Sequence, residues 1–260
     1  MARTISILLL VLMGPLRVAV VRLGCALTHK NPAIVPVPRV TPWWTVRHIS
    51  KLERVKAGGV DLLFVGDSIT QNYEQNGPSP NEMFLPAWEE FFAAHHALNL
   101  GYGGDQTQNV LWRLQHGEVA GLAPKDVVLL IGTNNTWPRP NSARVQSAAE
   151  VTTGVVAVVE ELHTRLPGAK ILLIEILPSA VSTEKSAKDA VVNAALRLRY
   201  AQSAYVRCLD LSSLFMKDGK LDKTLYFDSQ LKAPFGSLHP DTVGQRRMAE
   251  AVAKALYTGP

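Results

Sequence analysis

Between positions 61 and 209 the apolar residues gather into short runs that do not alternate with polar ones. The runs cover 61–66, 97–101, 126–131, 170–176 and 205–209. Val127-Val128-Leu129-Leu130-Ile131 is representative. A continuous apolar run of that length predicts a strand covered on both faces, which is the condition of a parallel sheet. Around these runs, apolar positions recur at helical spacing over 43–56, 84–95, 107–116, 143–166, 184–201 and 242–256. Strand–helix alternation requires right-handed βαβ crossovers. The pattern therefore predicts an α/β fold: a three-layer αβα sandwich around a five-stranded parallel sheet, with no internal repeat and no second domain.

The first residues follow another pattern. Arg3 precedes the apolar run Ile5 to Met13, which Gly14 and Pro15 close; a second run, Val18 to Val21, is cut off by Arg22. These are the charged and apolar regions of an export signal, too short for a confident span of about 20 apolar residues. The expectation for 1–30 is a signal peptide or an N-terminal anchor, giving a secreted, periplasmic or membrane-tethered protein. Leu23-Gly24-Cys25 faintly resembles a lipidation site, with Arg22 where an aliphatic residue is expected. From 31 to 42 stand Pro32, Pro36, Pro38 and Pro42. Such density forbids a regular helix and predicts an extended linker, so the domain is expected over 43–260.

Composition narrows the function classes. Of 260 residues, 47% are apolar and 19% charged, a globular balance. The net charge of +5 is spread along the chain. No basic run or nucleic-acid motif appears, so a nucleic-acid partner is not expected. There are two cysteines, Cys25 and Cys208. Cys25 lies in or beside the export segment; Cys208 falls in a strand run and reads as an inert core thiol. No CxxC or HExxH spacing suggests a metal.

In open parallel sheets, ligands bind beyond the carboxyl ends of the strands. Candidate chemistry collects there. Ser68 follows the first run, in Val65-Gly66-Asp67-Ser68-Ile69-Thr70. It reads either as a helix cap or as a nucleophile. Thr70 occupies the place of the second glycine of a Gly-x-Ser-x-Gly elbow, which excludes the α/β-hydrolase version. Gly103 and Gly104 follow the second run, before Asp105 and a helix; this is a turn requiring positive φ, or a backbone N–H aimed at an anion. It is not GxGxxG, and no GK[ST] follows, so a nucleotide site is a weak reading. Asn134 and Asn135 follow the third run; either could offer a side-chain N–H or form an Asx-turn. His239, in Leu238-His239-Pro240, sits on the loop of the last crossover, from which a base could reach Ser68. His29, His48, His95, His96, His116 and His163 read as structural or exposed.

With these residues in view, the chain resembles the SGNH (GDSL) hydrolase family, and most nearly its branch of platelet-activating-factor acetylhydrolase catalytic subunits and bacterial relatives. The first block is Phe64 to Gln71. The second runs from Asn99 to Leu114 and includes Gly103-Gly104-Asp105 and Val110-Leu111-Trp112-Arg113-Leu114. The third is Ile131-Gly132-Thr133-Asn134-Asn135. The resemblance implies a flavodoxin-like sheet, Ser68 as nucleophile and His239 as base. It also implies an oxyanion hole made of the Ser68 N–H, the Gly104 N–H and the Asn134 side chain. It is the resemblance, not the residues alone, that selects Asn134 over Asn135.

One departure stands out. The family usually places an Asp three residues before the histidine; here that position is Gly236. The nearest earlier acid is Asp228, with 230–236 as an insertion. Asp228 is either the third triad member, since triads are defined by geometry, or a turn residue. Asp241 is nearer but reads as a helix N-cap. A Ser–His dyad with a backbone carbonyl is the third arrangement.

The resemblance implies hydrolysis of short-chain, acetyl-type carboxylic esters without metal or cofactor. The rate should rise as the histidine loses its proton. A carbohydrate O-acetyl ester is the first expectation for substrate, and a lysophospholipid or other lipid ester the second. The Gly236 departure also leaves open a non-catalytic carbohydrate-binding relative. Paired subunits occur in the family, so a homodimer is an expectation, though no dimer patch is visible in the sequence.

Overall fold

The computed structural model describes residues 31–138, 144–231 and 235–258. The proposed export segment, with Cys25 and His29, lies outside the described residues. Five parallel strands form the sheet: β1 (Leu62–Gly66), β2 (Ala97–Gly101), β3 (Asp126–Leu130), β4 (Lys170–Ile174) and β5 (Val206–Leu209). Their order is β2-β1-β3-β4-β5. This is the flavodoxin-like order, which reverses direction between β1 and β3 and so opens a crevice at their carboxyl ends. The helices are α1 (Pro42–Lys56), α2 (Ser68–Gln71), α3 (Leu85–Phe91), α4 (Thr107–Gln115), α5 (Ala148–Arg165), α6 (Thr183–Tyr200) and α7 (Thr242–Tyr257).

The strand period of two divides the core. Leu63 and Val65 of β1 join one apolar cluster with Val110 of α4, Val158 of α5 and Leu196 of α6. Leu62 and Phe64 join the opposite cluster with Ala87 of α3 and Met248 of α7. Helices thus cover both faces, and both residue sets of β1 are withdrawn from water. Each such Leu or Val contributes about 1.5–3 kcal/mol of transfer free energy.

Several boundaries differ from the sequence pattern for local reasons. The fifth helix begins at Ala148, not at 143. Ser147 accepts from the Glu150 N–H while the Glu150 carboxylate accepts from the Ser147 N–H, a capping box that fixes the start. The pattern over 84–95 splits into α3 and a 3-10 turn, Ala93–His95, because Phe92 leaves helical φ at −129°. Cys208 is only partly buried, since β5 is an edge strand. It is nonetheless free of disulfides among the described residues, and burial pushes its thiol up to about 11. A small antiparallel hairpin, β6 (Met216–Lys217) and β7 (Lys220–Leu221), carried no apolar pattern to announce it.

The Pro-rich segment opens with a 3-10 turn, Pro32–Ile34, and then runs extended, docked against the domain along its length. Ala33 is buried, and its carbonyl accepts from Thr107 Oγ1 at 2.8 Å. Val37 accepts from Asn109 Nδ2 at 2.9 Å. Arg39 donates to the Gly103 carbonyl at 2.5 Å. The segment therefore packs against α4 and reaches the glycine loop beyond β2.

Candidate active site

The register of the sheet levels three strand ends. Gly66 is paired with Gly101 on one side and with Leu130 on the other. Ser68, Gly103 and Gly132 therefore all stand two residues past the same level. Gly101 lets α2 lie directly on β2, since a Cβ there would stand 2.3 Å from the Gln71 nitrogen. That contact keeps the nucleophile segment against the glycine loop. Gln71 Oε1 accepts from the Gly103 N–H at 2.5 Å and ties the two together.

Ser68 is the first residue of α2, capped by Asp67, whose carboxylate accepts from the Ile69 N–H at 3.0 Å. Asp67, not Ser68, is thus the cap, and the capping alternative for Ser68 falls. The Ser68 N–H belongs to the first turn, where no intrahelical acceptor exists. Its hydroxyl meets His239 Nε2 at 2.7 Å. On the other edge of the ring, His239 Nδ1 is bonded to Asp228 Oδ2. A carboxylate on Nδ1 fixes the tautomer that leaves Nε2 free to accept the serine proton. Asp228 Oδ1 accepts from the Gln230 N–H at 2.7 Å and the Leu231 N–H at 2.9 Å. Burial pushes the Asp228 carboxyl up, but the His239 hydrogen bond and charge, with these two N–H groups, outweigh it and hold the carboxyl below its ordinary value.

Asp228 and His239 are 11 residues apart in sequence, yet the chain brings them together by pairing the backbone that flanks the insertion. Phe227 N–H donates to the His239 carbonyl at 3.1 Å, and Asp241 N–H donates to the Leu225 carbonyl at 2.8 Å. Tyr226 and Pro240 form the bridge between these bonds. Asp241 is the α7 cap, accepting from the Gly244 N–H at 2.7 Å. Gly236 lies in a 3-10 turn, Phe235–Ser237.

The third strand end separates two neighbouring asparagines. Asn134 lines the cleft with Ser68, Gly104 and His239. Its Nδ2 donates to the Asp105 carbonyl at 2.9 Å, which fixes the amide plane. Asn135 turns away: it donates to Gln146 Oε1 at 2.7 Å and accepts from the Thr107 N–H at 3.1 Å. Gly104 has φ +76°, a left-handed conformation that suits glycine, and it lines the cleft.

Beneath the glycine loop lies an ion cluster that the motifs did not announce. The Arg113 guanidinium bonds Asp105 at 2.8 Å and also bonds Glu118, all fully buried. Trp44 Nε1–H donates to Asp105 at 2.8 Å, and Tyr102 and His48 bond Glu118. Burial raises Asp105 to about 6 despite Arg113. Burial also opposes ionisation of Glu118, but Arg113 together with His48 and Tyr102 prevails and lowers it. Arg113 stood in the second motif block, yet a charged residue at helical spacing gives no sign that it will be buried. The other described histidines, including His48, do not line the cleft.

The cleft has a volume of about 440 Å³. Amide side chains of Gln71, Gln75 and Gln230 share its wall with the aromatic rings of Trp43 and Trp137, with the apolar Phe84, Phe227, Leu231 and Leu238, and with Glu82.

Comparison with known proteins gives the family. Residues 64–247 match the GDSL-like Lipase/Acylhydrolase family. The chain is 35% identical over 204 residues to platelet-activating factor acetylhydrolase IB subunit alpha2 of Rattus norvegicus, covering 76% of this chain and 82% of that one. It is 32% identical over 206 residues to the alpha1 subunit of Homo sapiens, covering 77% and 82%. Among solved structures, a GDSL-like lipase from Bacteroides thetaiotaomicron superposes with a TM-score of 0.59 at 16% identity, over 82% of this chain and 97% of that one. An acetylxylan esterase from Geobacillus stearothermophilus superposes with a TM-score of 0.55 at 15% identity, over 77% and 95%; at such identity these two speak to the fold alone. The match over 64–247 spans the three strand-end segments and the histidine, and with it the chain belongs to the GDSL-like lipase/acylhydrolase family and is a carboxylic ester hydrolase.

Proposed function

We propose that this hydrolase removes short acyl groups, acetyl foremost, from a sugar or other polyhydroxylated alcohol, using Ser68, His239 and Asp228. The observation that carries the reading is the hydrogen-bonded relay Ser68–His239–Asp228 opening on a small, amide-rich cleft. Amide groups match hydroxyls, and indole faces match the C–H faces of sugar rings. The name of the acetylhydrolase relatives points to the same acyl group.

In the proposed reaction His239 Nε2 takes the Ser68 proton as Oγ bonds to the ester carbon. Asp228 holds the ring and stabilises the imidazolium. The oxyanion is received by the Ser68 N–H, the Gly104 N–H and the Asn134 amide, each worth roughly 3 kcal/mol in the transition state. Collapse breaks the bond to the alcohol, which leaves with the proton from His239. Water then repeats the sequence on the acyl-enzyme, and the free acid departs. The apolar run behind Arg3 supports action beyond the cytoplasm, secreted, periplasmic or tethered. A second reading, a lipid ester substrate, draws on the lipase half of the family description.

The test is hydrolysis of p-nitrophenyl esters from acetate to decanoate, followed by acetylated oligosaccharide against acetylated lysolipid. Ser68→Ala and His239→Ala should each cost on the order of 10⁶-fold in kcat, and Asp228→Asn on the order of 10⁴-fold. Preference for decanoate or for the lysolipid would replace the sugar-ester reading with the lipid one. Full activity in Ser68→Ala would remove the mechanism.

A further inference from the structure

The segment joining α2 to α3 grips both partners of the acid–base pair from outside the triad. Glu82 is buried at the end of a 3-10 turn, Pro80–Glu82. Its Oε1 accepts from the Ser229 N–H at 3.1 Å and from the Ser229 hydroxyl at 2.9 Å. Ser229 is the residue after Asp228. The same turn holds the histidine side as well. Thr242 Oγ1 donates to the Pro80 carbonyl at 2.8 Å and accepts from the Met83 N–H at 2.9 Å. Thr242 begins α7, three residues beyond His239. The turn is itself braced, since Gly77 N–H donates to the Glu82 carbonyl at 3.0 Å and Glu82 N–H to the Ser79 carbonyl at 2.9 Å.

We propose that Glu82 is a positioning residue that sets the Asp228 carboxylate against His239. The need arises from the spacing. With an acid three residues before the histidine, the intervening backbone is too short to let the carboxylate wander. Here 11 residues separate the two, and the neck at Phe227 and His239 ties down only the chain before Asp228. On the other side the Gln230 and Leu231 N–H groups turn back to the carboxylate, and the Glu82–Ser229 bonds anchor that turn to the neighbouring segment. The inference rests on the serine-hydrolase reading of the relay, and it assigns Glu82 no contact with the reacting atoms.

The decisive experiment compares Glu82→Ala, Glu82→Gln and Ser229→Ala with wild type on p-nitrophenyl acetate, each also in an Asp228→Asn background. Glutamine keeps an oxygen that accepts from Ser229, so Glu82→Gln should keep most of the wild-type kcat. Glu82→Ala should lower kcat on the order of 10–100-fold, the range for hydrogen bonds to a charged group; Glu82 also lines the cleft, so kcat and not KM carries the test. In the Asp228→Asn background Glu82→Ala should add nothing, because the carboxylate it positions is gone. Multiplicative losses in the double variant, or a Glu82→Gln as poor as Glu82→Ala, overturn the proposal. If Glu82→Ala fails to fold, Ser229→Ala, which deletes one of the two bonds, carries the same test: a smaller kcat loss that vanishes in the Asp228→Asn background. The low-field proton resonance of His239 Nδ1, assigned by its absence in His239→Ala, reads the geometry without turnover. Its loss in Glu82→Ala and retention in Glu82→Gln support the proposal even if the wild type cleaves no ester offered, a result that would sink the esterase reading instead. An unchanged resonance in both variants overturns it.

Discussion

Ser68, Gly104 and Asn134 stand within a few residues of the ends of three adjacent parallel strands, whereas Asp228 and His239 stand on loops beyond the sheet. The first group rests on a shelf whose register is set by main-chain pairing, Gly66 with both Gly101 and Leu130. Below it the Arg113 cluster and the apolar core admit no second arrangement. The second group is an arm held by the two main-chain bonds of an isolated bridge, by the Ala180 N–H on the Ser237 carbonyl, by the Tyr226 hydroxyl on the Pro178 carbonyl and by side chains of the Glu82 turn. Both halves hold a buried or half-buried carboxylate, but to different ends. Asp105 anchors fold around Arg113; Asp228 orients an imidazole. The contrast implies that changes beneath the shelf are read out mainly as stability and changes in the arm mainly as rate.

The largest effect expected from the shelf comes from Arg113→Ala. It leaves Asp105 and Glu118 in the interior without their cation. Removing one partner of a buried ion pair costs about 3–5 kcal/mol. The urea midpoint should fall accordingly, while whatever fraction remains folded keeps its activity toward p-nitrophenyl acetate. A loss under about 1 kcal/mol, the scale of an exposed pair, would mean that the shelf does not depend on the cluster, and the contrast would lose its first leg.

Next comes the pair of adjacent asparagines. Asn134→Ala should lower kcat by roughly 10²–10³-fold, the usual consequence of losing one oxyanion donor, and cost about 1 kcal/mol of stability through its lost bond to the Asp105 carbonyl. Asn135→Ala removes bonds to Gln146 and Thr107 and should be seen in the melting temperature instead. If the two exchange signatures, the donor has been misassigned.

The same division governs what could be read from the sequence. The five strands were legible because burial on both faces leaves unbroken apolar runs, and a parallel sheet then forces the chemistry to the strand ends. Ser68 and Gly104 were placed by that rule, as was the asparagine pair. The choice between Asn134 and Asn135 was not, since it turns on which way a 3-10 turn, Thr133–Asn135, directs each side chain. Arg113 was visible but not its burial, because only the fold brings Asp105 and Glu118 around it. Asp228 was left open because sequence distance misleads when a loop closes on itself: the neck between Phe227 and His239 is a tertiary fact. Glu82 carried no signal at all. Its partner Ser229 lies 147 residues away, and nothing in an isolated Pro-Asn-Glu turn foretells a buried carboxylate.

The smallest predicted effect separates the arm from the shelf by its pH dependence. The Asp228 carboxyl is held below its ordinary value in the fold, so between that value and the lowered one the unfolded chain binds more protons than the folded one. Stability from this group therefore rises with pH and is lost as the pH falls through the lowered value. In Asp228→Asn the titration is gone. The stability gap between wild type and variant should be complete above about pH 5 and should close as the pH drops through the carboxylate range near ~3.9 and below. Glu118, lowered in the fold, contributes with the same sign, and Asp105, raised to about 6, with the opposite one. Both are present in the two proteins, so both cancel in the difference, and only the arm remains in the measurement. Urea unfolding at steps from pH 6 down to pH 3 would read it. A gap that stays constant or widens below pH 4 would show that the Asp228 carboxylate is not held by His239 and the two N–H groups, and the arm would have to be redrawn without it.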